Sequence, residues 1–210
     1  MLNCDSANRM GDLMDYFLTI AAESESLYKE KGSKFIGYAI PVTNEEEIKA
    51  HLERLAGLHH QSRHVCYAYR LGADLETYRI NDDGEPSGSA GQPIFGQIRS
   101  FEVTNILVAV VRYFGGIKLG VGGLIHAYKT AANDAIATAK IIKEYIPAIY
   151  TAKFEYARMG DVMGTVEKYG WNVLETDFQL SCELTFSCKL SEKDQVSRAF
   201  EPLHDVELKE

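Results

Sequence analysis

The chain has 210 residues, of which 46% are hydrophobic and 25% are charged, and its formal net charge is −8 at pH 7. This length fits one large domain or two small ones, and the composition is typical of a globular protein. No apolar stretch approaches the roughly 18 residues of a membrane-spanning helix, so we expect no membrane association. The acidic total argues against strong nonspecific binding to nucleic acid. The four cysteines lack the spacing of a zinc site or a disulfide framework, which predicts a reducing cytoplasm.

The predicted elements begin after a short leader. Residues 1–15 lack the basic and apolar regions of a signal peptide and are predicted to be flexible, with Met10 or Met14 as an alternative start. The loop at His59 and His60 is expected to be solvated. Periodicity predicts the following elements up to residue 141: strands Tyr16–Ala22, Ser33–Pro41, His64–Leu71, Asp74–Ile80 and Ile106–Val111, and helices that begin at Asn44, Gln92 and Val121.

The pattern changes after residue 141. Residues 142–147 are interpreted as a connector, and the elements beyond follow the β-α-β-β-α-β order of a ferredoxin-like domain. The predicted fold class is therefore α+β in two domains, residues 16–141 and 142–210. The elements of the second domain are strand Ala148–Tyr156, helix Met159–Tyr169, strands Trp171–Phe178 and Cys182–Lys189, helix Glu192–Phe200, and strand Asp205–Leu208.

A glycine-rich segment joins the apolar strand Ile106–Val111 to the helix that follows it. Unpaired N–H groups and the helix dipole at a helix start favour an anion, so the N–H groups of Gly120–Gly123 are candidates for binding a phosphate. Arg112 and Lys118 would add positive charge, Arg112 in a bidentate manner. Alternatively, the glycines only permit positive φ and close packing. The spacing matches neither the P-loop nor the Rossmann fingerprint, so there is no case for a Walker ATPase.

An acidic block, Asp82-Asp83-Gly84-Glu85, lies upstream and is followed by Ser87 and Ser89. Carboxylates of this kind hold hard cations such as Mg²⁺, and Asp83 and Glu85 are the candidate ligands. Without a metal they would repel a phosphate, so they would have to face away or act as a base. The two serines would donate hydrogen bonds to the same ligand. The alternative is a turn with solvated acids.

His64 and Cys66 stand two residues apart on a predicted strand and should share one face. They are candidates for a Cys–His nucleophile pair, as Asp83 and Glu85 are for a catalytic base. No third residue that would orient the histidine is obvious. The alternative is a pair that faces the core, since cysteine is commonly buried.

Aromatic and basic residues interleave around the same segments. Such residues can stack on RNA bases, or they can form the core and edges of a sheet. They are Arg63, Tyr67, Tyr69, Tyr113, Phe114 and Tyr128. Residues 99–140 hold five basic and two acidic residues, so this region is locally positive within an acidic protein. The candidates for binding phosphate or nucleic acid are Arg112, Lys118, Gly120, Gly122, Gly123, Ser87, Ser89, Lys34 and Tyr113.

Two long motifs, Asp82–Pro93 and Val110–Leu124, and two shorter ones, Lys31–Ile36 and Arg63–Tyr69, resemble the IMPACT/YigZ family. The resemblance covers residues 16–210. It implies an N-terminal domain with the fold of the second domain of ribosomal protein S-five, and a C-terminal domain similar to domain V of elongation factor G. Eukaryotic members of the family are linked to control of translation initiation.

Three functions are consistent with these features. The favoured one is a non-enzymatic, translation-associated regulatory protein that binds RNA or a ribosomal surface. The second is an enzyme or ligand-binding protein for a phosphorylated small molecule or nucleotide, the one case that would use Mg²⁺. The third is a module that binds a protein partner through the sheet of the C-terminal domain. The sequence does not determine the oligomeric state.

Overall fold

The computed structural model describes residues 15–178 and 181–210. Apart from Asp15, the predicted leader lies outside the described residues. The chain forms two compact units, one of residues Phe17–Glu144 and one of Tyr145–Glu210 together with Asp15 and Tyr16. None of the helices in these ranges has the length and apolar character needed to cross a membrane.

The first unit is built on an antiparallel sheet of five strands in the order β2-β3-β6-β4-β5. β6 lies at the centre, and its first seven residues are buried, as expected for a strand that is apolar on both faces. β1 and β7 pair in a separate sheet of two strands. The strands are β1 (Tyr16–Ile20), β2 (Ser24–Glu30), β3 (Ser33–Pro41), β4 (His64–Leu71), β5 (Thr77–Asn81), β6 (Ile106–Tyr113) and β7 (Ile141–Tyr145).

Three helices cover the two faces of this sheet: α1 (Glu45–Leu58), α2 (Gly91–Ser100) and α3 (Gly120–Thr138). α2 and α3 pack on one face, and α1 packs on the other. The buried alanines of α3 let it approach β2 and β3 closely, and the Oγ of Ser26 donates a 2.7 Å hydrogen bond to the Ala131 carbonyl. This close packing fixes the start of α3 beside the end of β6.

The second unit has a four-stranded antiparallel sheet in the order β11-β8-β10-β9. Two helices bury an apolar core against one face of it. This arrangement confirms the predicted α+β class and the β-α-β-β-α-β order. The elements are β8 (Pro147–Phe154), α4 (Met159–Tyr169), β9 (Asn172–Phe178), β10 (Cys182–Lys189), α5 (Lys193–Phe200) and β11 (Glu207–Lys209).

Four details of the predicted elements are wrong. β2 is absent from the prediction because its sequence, SESLYKE, is polar, and the residues that face α3 carry hydroxyl groups. The predicted connector 142–147 contains most of β7. The strand predicted from Asp74 begins only at Thr77, because Leu75 adopts φ +65° in a left-handed turn. The final strand lies at Glu207–Lys209, two residues later than its predicted start.

Candidate functional site

The glycine-rich loop lies between β6 and α3. No side chain among the described residues caps the start of α3, and its first turn has no acidic residue. Gly120 adopts φ +72°, which side chains disfavour. Gly115 is required by packing, because a Cβ there would lie 1.9 Å from the carbonyl carbon of Gly32. A Cβ at Gly122 would meet nothing within 4 Å, so packing does not explain that glycine.

Asp82 organises the acidic loop from within. Its carboxylate accepts hydrogen bonds from the N–H groups of Gly88 (2.8 Å), Ala90 (3.0 Å) and Gly91 (2.8 Å). Burial acts to raise the pKa of Asp82, but these three N–H groups outweigh it and hold the pKa below its usual value. Asp82 therefore closes the loop and holds the start of α2.

The two loops meet at one cavity of about 430 Å³. This volume lies within the roughly 300–1,000 Å³ typical of small-molecule sites. The cavity combines the end of the acidic loop, the start of α3 and the adjoining ends of β4 and β6. Its walls are formed by Arg63, His64, Glu85, Pro86, Arg112, Phe114, Lys118–Val121 and Leu124.

A buried polar chain runs into the cavity wall. Nη1 of Arg112 donates to Oε1 of Glu85 at 2.6 Å, and the Tyr128 hydroxyl donates to the same oxygen at 2.9 Å. The Cys66 sulfur lies 3.3 Å from the Tyr128 hydroxyl and 3.0 Å from the Asp82 carbonyl, and its one proton can be donated to either oxygen. Burial raises the pKa of Tyr128 far above its usual value, and the neighbouring Cys66 and Glu85 add to that rise. Tyr128 is therefore a fixed donor that holds Glu85 in place against Arg112.

Arg112 is only 7% exposed, although it lines the cavity. Its guanidinium carbon lies 5.5 Å from the ring centre of Phe35 and 5.6 Å from that of Phe114, so the cation sits between two aromatic faces. Its Nε is buried and donates to no acceptor within the described residues. Glu85 thus engages one nitrogen of the guanidinium and leaves the other edge without a partner.

His64 also has a defined orientation at the cavity. Its Nδ1 lies 2.6 Å from the Asp83 carbonyl oxygen, which can only accept, so Nδ1 carries a proton. In the neutral ring the other nitrogen, Nε2, is then the acceptor. Asp83 adopts φ +40° and is held by the Val65 N–H, which donates to its carboxylate at 2.7 Å. A strained residue held in this way is a frequent mark of a functional site.

The predicted Cys–His pair is not assembled in this structure. Cys66 is fully buried, and its thiol contacts the Asp82 carbonyl at 3.0 Å and the Tyr128 hydroxyl, whereas His64 bonds to Asp83. Burial raises the pKa of Cys66 to about 12. The group is therefore a thiol near neutral pH, and a thiol is a poor nucleophile.

The two proposed Mg²⁺ ligands point to different partners. The Asp83 carboxylate accepts from the Val65 N–H, and the Glu85 carboxylate accepts from Arg112 and Tyr128. In residues 15–178 and 181–210, no group of three or more His, Cys, Asp or Glu side chains is arranged to hold a metal ion. A magnesium site here stays a prediction.

The remaining candidates are divided between the cavity and its surroundings. Lys118 and Gly120 line it, whereas the buried Ser89 donates to the Pro86 carbonyl at 2.6 Å and the exposed Ser87 lies outside the lining. Lys34 and Tyr113 line a neighbouring cavity, and Phe114 belongs to both.

The structure selects the core alternative for two of the aromatic residues: Tyr69 and Tyr128 are buried, so neither ring can stack on a base. One predicted environment is wrong, the solvated loop position of His59. His59 is also buried: its Nε2 lies 2.8 Å from the Tyr38 hydroxyl and its Nδ1 lies 2.9 Å from that of Tyr113. The hydroxyls of Tyr38 and Tyr113 thus take the place of water as hydrogen-bond partners of His59, and no local sequence pattern predicts this contact. Phe114, by contrast, is 50% exposed and remains available for stacking.

The family model of the Impact N-terminal domain matches residues 31–136, which contain both loops and the whole cavity lining. The chain is also 32% identical over 168 residues to the IMPACT family member YigZ of Escherichia coli (strain K12), across 79% of this chain and 82% of YigZ. The chain belongs to the IMPACT family. The family member YvyE of Bacillus subtilis (strain 168) is 29% identical over 182 residues, 87% of this chain and 82% of YvyE.

A solved structure shares the fold. The crystal structure of a hypothetical protein, 29% identical in sequence, superposes with a TM-score of 0.76 and covers 93% of this chain and 97% of that one. The overlap spans both units, so the two-part architecture of this IMPACT family chain is shared with that protein.

Proposed function

We propose that this IMPACT family chain is a cytoplasmic, translation-associated regulatory protein whose N-terminal unit binds RNA, either free or exposed on the ribosome. One observation carries the proposal. Arg63 and Lys118 stand at the cavity without a carboxylate partner among the described residues, next to the exposed ring of Phe114. The family's link to translation initiation gives this binding its biological setting.

The physical argument combines charge and stacking. Unpaired cations attract the phosphate backbone, and this contribution weakens as salt rises. A half-exposed aromatic ring can stack on an unpaired base, which contributes about 1–3 kcal/mol. Because the whole chain is acidic, binding depends on this one patch and is modest in affinity. The high pKa of Cys66 supports binding over nucleophilic catalysis.

Charge reversal at the cavity tests the proposal. We expect Arg63→Glu/Lys118→Glu to weaken binding of a short, fluorescently labelled single-stranded RNA. The slope of the logarithm of the binding constant against the logarithm of salt concentration should become shallower in the variant. The change should be about one unit for each phosphate that the variant no longer neutralises. Fluorescence anisotropy at several salt concentrations measures both effects. The matched control is Lys49→Glu/Lys140→Glu, which changes net charge equally on exposed residues of α1 and beyond the far end of α3.

Two results would contradict the proposal. One is equal weakening by the control, since the effect would then come from net charge alone. The other is no binding by the wild type at low salt.

The C-terminal unit favours a second role, the binding of a protein partner at the edge of its sheet. β9 is an edge strand that pairs only with β10 in the described part of the chain, and all of its residues are exposed, including Leu174 and Phe178. An unpaired strand edge can accept a strand from another protein. Leu174→Lys/Phe178→Lys should then reduce cosedimentation with ribosomes while leaving short-RNA binding unchanged. Unchanged cosedimentation would limit ribosome contact to the N-terminal unit.

A further inference from the structure

The unused donors of Arg112 define a position for an oxyanion. Nε–H and one Nη2–H project from the same edge of a guanidinium and form the fork that binds two oxygens of a carboxylate or phosphate. Glu85 binds Nη1, on the opposite side from this fork. Nε is buried without an acceptor, and no partner of Nη2 exists within residues 15–178 and 181–210. Buried donors are nearly always satisfied, and the fold supplies no acceptor for this edge. We therefore expect an acceptor from outside the chain.

The start of α3 supplies a second set of donors at the same cavity. Gly120 and Val121 line it, and the first turn of the helix has no side-chain cap among the described residues. The backbone N–H groups of a first turn have no partner inside the helix, and the helix dipole adds partial positive charge there. The fork of Arg112 and the start of this 19-residue helix are thus two independent features of one cavity.

We infer that this cavity receives a terminal phosphate, a phosphomonoester, at the Arg112 fork and the start of α3; the inference rests on the proposed function of RNA binding. An internal phosphodiester has a nucleotide on each side, so the RNA strand must extend out of the site in two directions. Arg112 is nine-tenths buried in the cavity wall, so a ligand reaches it with one end only. A phosphomonoester also carries close to two negative charges and three oxygen acceptors, enough for both the fork and the helix start.

Phe114 lies beside this position in the cavity lining. Its ring lies over the guanidinium, yet half of the residue is exposed, and Gly115 and Gly116 follow it in the loop. Because the residue is half exposed, its ring can stack on the base next to the phosphate. The volume of about 430 Å³ accommodates a single nucleotide unit. The same chemistry is offered by a phosphorylated RNA end and by a free mononucleotide.

Glu85 has two opposed effects on such a ligand. Its carboxylate, fixed by the Tyr128 hydroxyl, holds Arg112 in orientation, and its negative charge repels the incoming phosphate. Glu85→Gln keeps an oxygen that accepts from Arg112 and Tyr128 but removes the charge. Arg112→Lys keeps the charge beside Glu85 but removes the fork. The two variants should therefore change phosphate affinity in opposite directions, whereas a merely structural role would weaken binding in both.

The experiment uses the full chain and one short RNA in three forms, with a 5′-phosphate, with a 3′-phosphate, or with hydroxyls at both ends. A free nucleoside monophosphate is the fourth probe. Calorimetry or anisotropy gives the affinities, and thermal unfolding confirms that each variant is folded. The wild type should prefer a phosphorylated probe by about tenfold or more, the effect of one strong charge-assisted contact. Arg112→Lys should abolish this preference, Glu85→Gln should increase it, and Lys49→Glu should leave it unchanged.

The outcomes separate this inference from the proposed function. Equal affinity for phosphorylated and hydroxyl-ended RNA overturns the terminal-phosphate site, while RNA binding stands if it still depends on Arg63 and Lys118. Binding of the free monophosphate alone, abolished in Arg112→Lys, supports the site and overturns RNA as the ligand. Binding of none of the four probes overturns both. Loss of preference in Arg112→Lys together with a matching loss in Glu85→Gln assigns Arg112 a structural role and overturns the site.

Discussion

Each unit of the chain buries one nitrogen donor that has no acceptor among the described residues, and the surroundings of the two donors differ. Nε of Arg112 lies beside Glu85, at a cavity where Arg63 and Lys118 add charge. Nε1 of Trp171 lies in an aromatic stack, with its ring centre 4.8 Å from that of Tyr169. The first donor belongs to a network of charged and polar side chains. The second belongs to the aromatic part of an apolar core, and its ring also lines a cavity of about 400 Å³.

The surroundings of an unsatisfied donor determine whether it indicates a ligand. The cost of an unpaired N–H is about 1–3 kcal/mol. The Trp171 ring offsets this cost by burying a large apolar area against neighbours such as Phe186, 5.3 Å away between ring centres. At Arg112 the Glu85 carboxylate and the rings of Phe35 and Phe114 offset the charge, but none of them supplies an acceptor for Nε. A missing acceptor therefore points to a ligand at Arg112 and to packing at Trp171.

The largest expected effect breaks the charged network. Arg112→Met should lower the free energy of unfolding by about 3–5 kcal/mol, because it leaves the Glu85 carboxylate buried without its partner. Chemical denaturation followed by circular dichroism measures the loss. The double variant Arg112→Met/Glu85→Leu should recover most of it, since both charges are then absent. A loss below about 1 kcal/mol in the single variant would mean that this ion pair contributes no more to stability than a solvent-exposed pair does. The contrast with Trp171 would then be lost.

A smaller effect is expected from the hydroxyl that supports the network. Tyr128→Phe removes the hydroxyl that donates to Glu85 and leaves the Cys66 thiol only the Asp82 carbonyl as an acceptor, and it should cost about 1–3 kcal/mol. Tyr78→Phe is the matched control, because Tyr78 is 56% exposed and its hydroxyl has no partner among the described residues. Equal losses in the two variants would show that the buried hydroxyl contributes nothing beyond ring packing.

Trp171 tests the apolar side of the comparison. Trp171→Phe should cost about 1–2 kcal/mol through weaker packing, with no dependence on salt. Since Trp171 is the only tryptophan of the chain, a benzothiophene analogue that keeps the shape and lacks the N–H can replace it selectively. That replacement should be neutral or slightly stabilising in thermal unfolding. A clear loss of stability with the analogue would show that the N–H binds something, and the two donors would then be alike.

The smallest expected effect concerns the loop that carries Glu85. Three N–H groups lower the pKa of Asp82 in the folded state, so its stabilising contribution is full above the unfolded pKa of about 3.9 and is lost as pH falls through the lower folded value. Asp82→Asn should cost about 1 kcal/mol at neutral pH, because a neutral amide accepts N–H groups less strongly. Thermal unfolding as a function of pH should show a weaker decline below pH of about 4 in this variant than in the wild type. An identical decline in both proteins would mean that Asp82 does not sense acid in this range.

Local patterns predict most of the fold because the buried elements obey a simple periodicity. β6 is apolar at nearly every position, and the alanine-rich α3 has a continuous buried stripe. β2 escapes prediction because its polar side chains form their hydrogen bonds with the α3 backbone, a partner about 105 residues away in sequence. β7 resembles a connector in sequence, since exposed strands carry no apolar alternation.

The candidate site is predictable only in part. The sequence marks the glycine loop and the acidic block as separate turns with unpaired donors and acceptors, and it points to Arg112 and Lys118 beside them. It does not assign their partners, because the pairing of Glu85 with Arg112 joins a loop residue to a strand residue 27 positions further along the chain. The same limit applies to Cys66, whose pKa depends on burial and not on its neighbours in sequence.

The family, the α+β class, the order of elements and the positions of the two loops follow from the sequence alone, because local periodicity, turn chemistry and long ordered motifs specify them. Which charges pair within the fold and which remain for a ligand depends on the tertiary structure. Glu85 neutralises one edge of Arg112, whereas Arg63 and Lys118 have no carboxylate partner in the described residues and line the same cavity. Electrostatic balance depends on distances of a few ångströms in three dimensions, and residues far apart in the chain set those distances.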